Sequence, residues 1–258
     1  MPIPERLNPT FVIARPAVPD KRDEARKRLI VALDVPCAQA AGDLVGRLEG
    51  ACQWFKVGLE LFTAAGPAIV EQLAAGGHSV FLDLKFHDIP NTVARAVRSA
   101  AGLGAKLLTI HAAGGPAMLA AATGALEGIA DGPQLVAVTV PTHMDGAQLR
   151  ATGIARLLAK QTELLTKMGM KCGIRGFVCS PLEVSTLREI VGPEGVLVVP
   201  GIRPAGTEVE DQRRVATPAE ALAAGANYLV VGRPITQAAE PAKAARAIVE
   251  EMAQALTV

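Results

Sequence analysis

The segment FLDLKFHDIPNT, residues 81–92, begins as an apolar run and then brings three charged residues together. Asp83, Lys85 and Asp88 follow the spacing D-x-K-x-x-D. Because side chains alternate along a strand, Asp83 and Lys85 should share one face, with the apolar residues on the other. A lysine held beside carboxylates can serve as a fixed positive charge or as a proton donor. Taken alone, the pair also fits an ordinary ion pair at the start of a solvated loop.

Further charges lie at the ends of neighbouring apolar runs. LIVALD ends in Asp34, and WFKVG contains Lys56. If these runs are neighbouring parallel strands, their charges meet at one edge, where paired charges can be held in fixed positions. Several independent surface ion pairs would explain this pattern less well than one charged site.

The last two apolar runs lead into glycine-containing turns with arginines. These turns are PGIRP, with Arg203, and VGRP, with Gly232 and Arg233. Glycine permits a close backbone approach, and arginine binds oxyanions. Each turn alone fits a purely structural role, but their position after both late strands favours a phosphate site.

Three other residues near run ends have weaker signals. His111 shares a predicted strand face with Thr109, and a hydrogen-bonded structural histidine is favoured over a ligand-binding one. His87 is expected in the loop, near the site or solvated. Cys179 has no base nearby in sequence, so we expect a buried, inert thiol.

Eight short apolar runs must position these residues. They alternate with Ala- and Leu-rich segments of helical spacing, including 60–75, 91–103, 114–128, 147–169 and 238–255. Such alternation requires right-handed crossovers and a parallel sheet covered on both faces, and eight units favour a (β/α)8 barrel. A doubly wound sheet is the alternative, although the N-terminal G-x-G-x-x-G pattern of dinucleotide binding is missing. The runs are LIVALD, WFKVG, SVFLDLK, KLLTIH, LVAVTV, GFVCS, VLVVPG and NYLVVGR.

Length and composition favour one globular domain that binds a small molecule. The chain has 258 residues, 50% of them hydrophobic and 20% charged, with a formal net charge of +1. This balance gives no electrostatic signature for nucleic acid or an anionic membrane. The four cysteines and four histidines lack metal-site spacings, which predicts a reduced, cytoplasmic protein without a metal. Residues 1–28 read as a proline-containing surface extension without a signal-peptide core, and residues 29–258 as the barrel.

The sequence resembles the orotidine 5′-phosphate decarboxylase family over roughly residues 29–250. The matching motifs, in the family's order, are LDVP, FKVGLELF, DLKFHDIPNT, VTVPTHMD, VCSPLE, VPGIRP, DQRR and YLVVGRPIT. The resemblance implies decarboxylation of orotidine 5′-phosphate to UMP and CO2 in pyrimidine biosynthesis, with Lys85 protonating the C6 carbanion. It implies no cofactor.

The resemblance also implies a role for each matching residue. Lys56, Asp83, Lys85 and a partner subunit's Asp88 would form an alternating charge row in a homodimer. Ile89 and Thr92 would reach the neighbouring site with Asp88. The substrate contacts would be Asp34 and Lys56 to the ribose, Thr142 to the pyrimidine, and Gln212, Gly232 and Arg233 to the phosphate, with Arg203 beside them.

One motif departs from the family's pattern, and two other functions stay open. In PTHMD, Pro141 and His143 flank Thr142 where many members have leucine and serine, which affects contacts to the base or closure of that loop. One alternative is an Mg²⁺-dependent 3-keto-gulonate 6-phosphate decarboxylase or hexulose phosphate synthase of the same suprafamily. Those relatives have an acidic metal ligand at the position of Lys56, whose ammonium would repel a divalent ion. The other alternative is a non-catalytic nucleotide-binding barrel.

Overall fold

The predicted barrel is confirmed. The computed structural model describes residues 20–48, 50–204 and 215–256, and its eight parallel strands close into one barrel in chain order. Each strand pairs with the next, and the eighth pairs with the first through Ile30 and Val230. The strands are β1 (Leu29–Ala32), β2 (Trp54–Val57), β3 (Ser79–Phe86), β4 (Leu107–His111), β5 (Gln134–Val138), β6 (Gly176–Val178), β7 (Val196–Val199) and β8 (Tyr228–Val231).

Helices occupy the intervals between the strands. Short 3₁₀ turns follow β4 at Ala112–Gly114 and β6 at Pro181–Glu183. The α-helices are α1 (Lys21–Arg28), α2 (Ala38–Arg47), α3 (Leu59–Ala65), α4 (Ala68–Ala75), α5 (Pro90–Ala101), α6 (Gly115–Gly124), α7 (Gly146–Ala151), α8 (Leu158–Lys171), α9 (Val184–Val191), α10 (Pro218–Ala223), α11 (Arg233–Thr236) and α12 (Pro241–Ala255). In the described part of the chain, each helix is too short or too polar to cross a bilayer.

The strands bury apolar side chains on both faces, which explains their continuous hydrophobicity. One cluster fills the barrel interior and includes Ile30, Trp54, Phe81 and Val198. A larger cluster, which includes Leu82, lies between the strands and the helices. The interior cluster closes the barrel below the strand ends, so a ligand site must lie at the mouth.

The end of the predicted extension forms a helix. In α1, Ala25 is fully buried, and Arg22 of the same helix forms a 2.7 Å ion pair with Glu250 of α12. The segment KRDEARKR has only one apolar residue, so it shows no helical periodicity in the sequence. Contacts with the rest of the barrel, rather than an amphipathic pattern in the helix itself, therefore account for the position of α1.

Two predicted helical segments are each split into two helices. Gly66, with φ 68°, ends α3, and Pro67 then precedes α4. The segment 147–169 is interrupted between α7 and α8, where Gly153 has φ 84°. A glycine in the left-handed region ends a helix at little steric cost, so composition alone overestimated the lengths of these helices.

Strand β3 is not the regular strand that the alternation argument assumed. Leu82 pairs with Leu108 and Phe86 pairs with Ile110, so four residues along β3 span two along β4. Lys85 lies in this bulge with φ 52°, the only positive φ among the described non-glycine residues. Bulges redirect side chains next to functional sites, and this one lies in the D-x-K-x-x-D motif.

Candidate active site

A cleft of about 660 Å³ opens at the C-terminal ends of the strands. Eight of the predicted site residues line it together, although they come from six different strand ends. The cleft therefore supports the prediction that these strand ends form one site. The eight residues are Asp34, Lys56, Asp83, Lys85, Thr142, Arg203, Gly232 and Arg233.

Four of these residues form a row of alternating charge. Lys56 Nζ lies 2.8 Å from Asp34 Oδ1 and 3.8 Å from Asp83 Oδ2. Lys85 Nζ lies 2.8 Å from the same Asp83 oxygen. The side chains of Lys56 and Asp83 are each 12% exposed, whereas that of Lys85 is 39% exposed. The largely buried Lys56 and Asp83 side chains thus fix the row, and Lys85 presents its ammonium to the cleft.

Sequence reasoning missed a glycine that makes room for this row. A Cβ on Gly58 would lie 2.8 Å from Lys56 Nζ and 3.3 Å from Asp34 Oδ1. The motif FKVG placed this glycine two residues after Lys56, but nothing in the sequence alone indicated which side chain it would approach. The missing side chain lets the Asp34–Lys56 ion pair lie against the chain at the start of α3.

The predicted phosphate residues meet in the same cleft. Arg203, Gly232 and Arg233 line it, and Gly232 immediately precedes α11. Gly201 also lines the cleft, with φ 82°, a conformation that favours glycine. The predicted contact from Gln212 lies outside the described residues. Two arginines beside glycine-containing turns give a setting suited to an oxyanion.

The three residues expected to reach a partner subunit do not line the cleft of their own chain. Asp88, Ile89 and Thr92 are all exposed, and Ile89 is 67% exposed. The backbone N–H of Ile89 donates to Asp88 Oδ1 over 2.6 Å, which holds the carboxylate at the start of α5. One chain therefore brings together three members of the predicted catalytic set and leaves Asp88 on the surface.

His111 is more closely associated with the cleft than the favoured structural reading implied. It lines the cleft, and its ring centroid lies 5.4 Å from that of His87. Burial lowers the pKa of His111 from 6.5, the charges of His87 and Lys85 lower it further, and Asp83 opposes the shift. Neutral imidazole is thus favoured beside the charge row. Cys179, by contrast, is buried, as predicted.

The depressed pKa of His111 predicts a pH-dependent contribution to stability. In the unfolded chain, the imidazole of His111 takes up a proton as the pH falls through 6.5. In the folded chain, it takes up this proton only at a lower pH. The stability that His111 contributes is therefore fully present above pH 6.5 and declines as the pH falls from 6.5 towards the pKa of His111 in the folded chain. We expect the Tm of His111→Gln to decrease less than that of wild type between about pH 7.5 and about pH 5.5. Equal decreases in thermal denaturation curves would contradict this.

The two residues that depart from the family's pattern also lie in the cleft. Pro141 and His143 line it on either side of Thr142. In the described ranges, no group of three or more His, Cys, Asp or Glu side chains is placed to hold a metal ion.

Comparison with known proteins agrees with this geometry. The model of the orotidine 5′-phosphate decarboxylase / HUMPS family matches residues 27–248. A Moorella thermoacetica protein named orotidine 5′-phosphate decarboxylase is 51% identical over 237 residues, covering 90% of this chain and 94% of the relative. One of the same name from Nitrosococcus oceani is 52% identical over 227 residues, covering 88% and 98%.

A solved structure has the same fold. The crystal structure of orotidine 5′-phosphate decarboxylase from Lactobacillus acidophilus matches with a TM-score of 0.77 and 38% identity. The match covers 88% of this chain and 99% of the other. The chain belongs to the orotidine 5′-phosphate decarboxylase / HUMPS family.

Proposed function

We propose that this chain decarboxylates orotidine 5′-phosphate to UMP and CO2, in the synthesis of pyrimidine nucleotides. The observation that carries the proposal is the row Asp34–Lys56–Asp83–Lys85 in the cleft of a chain of this family. The reaction needs a fixed cation where carbanion charge develops, and Lys85 presents one. Lys85 also has a strained backbone conformation, of the kind that clusters at active sites and ligand clamps.

The chemical problem is the carbanion left on C6. It lies in the plane of the pyrimidine ring, where the ring π system cannot delocalise it well, so the protein must stabilise it. Lys85 first places a positive charge beside C6 and then donates a proton to this carbon. Both electrons of the broken carbon–carbon bond stay on C6 and form the new C–H bond, while the carboxylate leaves as CO2.

One charge contact cannot supply the whole effect. A cation and an anion about 4 Å apart gain roughly 4 kcal/mol at an effective dielectric constant near 20. Enzymes lower barriers by roughly 8–23 kcal/mol. Binding of the remote parts of the nucleotide must therefore position the ring against Lys85. Asp83, 2.8 Å from Lys85, would lie near the substrate carboxylate and disfavour that charge until CO2 departs.

The other cleft residues are assigned to the rest of the nucleotide. Asp34 and Lys56 would bind the ribose hydroxyls, and Thr142 the pyrimidine edge. Gly232 and Arg233 would bind the 5′-phosphate with Arg203 beside them, which the lining of the cleft supports. Gln212, outside the described residues, is assigned to the phosphate from its motif.

The proposal includes a homodimer with shared sites. Asp88, Ile89 and Thr92 are exposed next to the charge row at the start of α5 and line no part of their own chain's cleft. A second copy could accept them at its mouth, where Asp88 would extend the alternation beyond Lys85. The reduced thiols of the four cysteines, 37, 52, 172 and 179, suit a cytoplasmic location.

Shared sites predict complementation between two inactive variants. Lys85→Ala and Asp88→Ala dimers should each lose turnover. After subunit exchange in a 1:1 mixture, half the dimers are mixed and each has one intact site, so about a quarter of the wild-type activity should return. Mixing Lys85→Ala with Asp83→Asn is the control. Both residues lie in the cleft of their own chain, so each of the two sites in a mixed dimer still carries one of the changes and no activity should return. If only the control mixture regains activity, or neither does, Asp88 does not act across subunits.

A direct assay tests the reaction itself. Loss of orotidine 5′-phosphate absorbance should follow addition of the purified protein, with UMP as the product. Excess EDTA should leave the rate unchanged, because Lys56 occupies the strand end where the Mg²⁺-dependent relatives carry an acidic ligand. An EDTA-sensitive reaction with a sugar phosphate, and none with orotidine 5′-phosphate, would replace this proposal.

A further inference from the structure

The backbone around Lys85 needs an explanation beyond the charge row. Lys85 has φ 52°, which side chains with a Cβ rarely adopt. The bulge between Leu82 and Phe86 removes this stretch from the regular β3–β4 pairing. A strained conformation persists only when surrounding contacts hold it. Some group must therefore bind the bulged backbone in place of the lost pairing.

Thr109 occupies that position. It lies on β4 between Leu108 and Ile110, the two residues at which the pairing with β3 stops and resumes. Its side-chain hydroxyl accepts a hydrogen bond from the backbone N–H of Lys85 at 2.8 Å. The residue is fully buried, so water cannot substitute for its hydroxyl.

The same hydroxyl also binds Asp83. An amide N–H can only donate, so the Thr109 oxygen accepts from Lys85 and its own proton is available for another partner. That proton is donated to Asp83 Oδ1 over 3.0 Å. The other carboxylate oxygen, Oδ2, lies 2.8 Å from Lys85 Nζ. One hydroxyl thus connects the backbone of Lys85 to the carboxylate that holds its side chain.

We propose that Thr109 is a positioning residue that fixes the Lys85 ammonium by binding the bulged backbone and orienting Asp83 through one hydroxyl. The inference rests on the proposed decarboxylation and adds to it a residue that touches neither the substrate nor the cleft. Without the hydroxyl, the backbone N–H of Lys85 loses its partner on β4, and Asp83 Oδ1 loses the hydrogen bond that orients the carboxylate. The ammonium then spends less time where charge develops on C6.

The test compares three variants by kcat, KM and UMP affinity. Thr109→Val keeps the shape and removes the hydroxyl, and we expect kcat to fall about 10- to 100-fold, the worth of a hydrogen bond to a charged group. UMP affinity should stay within about threefold, because Thr109 does not line the cleft. Thr109→Ser restores the hydroxyl and should recover most of the rate.

Thr139→Val is the matched control for simple loss of stability. Thr139 is also buried, on the neighbouring chain segment after β5, and its hydroxyl donates to the Val178 carbonyl at 3.1 Å. This variant should lower Tm as Thr109→Val does but leave kcat within about twofold of wild type. If Thr109→Val fails to fold, Thr109→Cys takes its place in the comparison with Thr109→Ser. Cysteine and serine have similar volumes, but the thiol is only a weak hydrogen-bonding group.

Several results would overturn the inference. They are an unchanged kcat in Thr109→Val, equal losses in both valine variants, or no recovery with serine. A crystal structure of Thr109→Val with the Lys85 backbone and ammonium unmoved would refute it whatever the activity. A wild-type protein without turnover would instead refute the proposed function, and the crystal structure would still decide whether Thr109 holds the bulge.

Discussion

Replacing Lys85 with alanine should abolish nearly all turnover on orotidine 5′-phosphate, lowering kcat by about 10⁴-fold or more. The change removes both the cation beside C6 and the proton donor to the carbanion. General acid catalysis alone contributes typically 10²–10⁴-fold, and the lost charge contact adds to this. UMP should still bind, because the residues assigned to ribose and phosphate remain. Single-turnover kinetics and a UMP titration measure the two effects separately.

A second lysine controls for the loss of a positive charge. Lys106 is exposed and precedes β4, at the end of the barrel away from the cleft. Lys106→Ala should therefore keep kcat within about twofold of wild type. A Lys85→Ala variant with near-normal kcat would refute the assignment of the proton donor. Loss of UMP binding in parallel with kcat would instead show that Lys85 chiefly organises the nucleotide site.

The architecture could be predicted because the strands are recognisable from their hydrophobic sequence alone, without knowledge of their tertiary contacts. All eight apolar runs became strands, since burial on both faces requires uninterrupted hydrophobicity. Parallel connections then place every strand's C-terminal end at one mouth. This geometry brings Asp34, Lys56 and Asp83 together although they are far apart in sequence.

The local geometry of the site could not be predicted in the same way. Side-chain alternation predicts that Asp83 and Lys85 lie together, and their charged groups are 2.8 Å apart. Alternation holds only for a regular strand, however, and the bulge appears only when β3 is paired with β4. The sequence indicates only that Thr109 shares a strand face with His111, because the role of Thr109 depends on its position opposite that bulge. Propensity and periodicity describe one segment at a time, whereas these features arise from the register between two segments.

Arg233→Ala should act chiefly on phosphate-dependent binding. Arg233 lines the cleft directly after Gly232 at the start of α11. Hydrogen bonds to charged groups contribute about 1.5–3 kcal/mol each, so losing two from one guanidinium should lower kcat/KM by about 10²- to 10⁴-fold. Most of this effect should appear in KM. The exposed Arg175 precedes β6 at the other end of the barrel, and Arg175→Ala should leave the kinetics unchanged.

Orotidine, which lacks the phosphate, separates binding of that group from general damage to the site. If Arg233 binds the phosphate, Arg233→Ala and wild type should process orotidine with the same kcat/KM, because neither can use a contact that the substrate does not offer. A loss shared by both substrates would mean that Arg233 supports the cleft itself. An unchanged KM for orotidine 5′-phosphate would remove Arg233 from the phosphate site. The phosphate is remote from C6. The ratio of the wild-type kcat/KM for orotidine 5′-phosphate to that for orotidine therefore measures how much of the phosphate's binding free energy is used to hold the ring against Lys85.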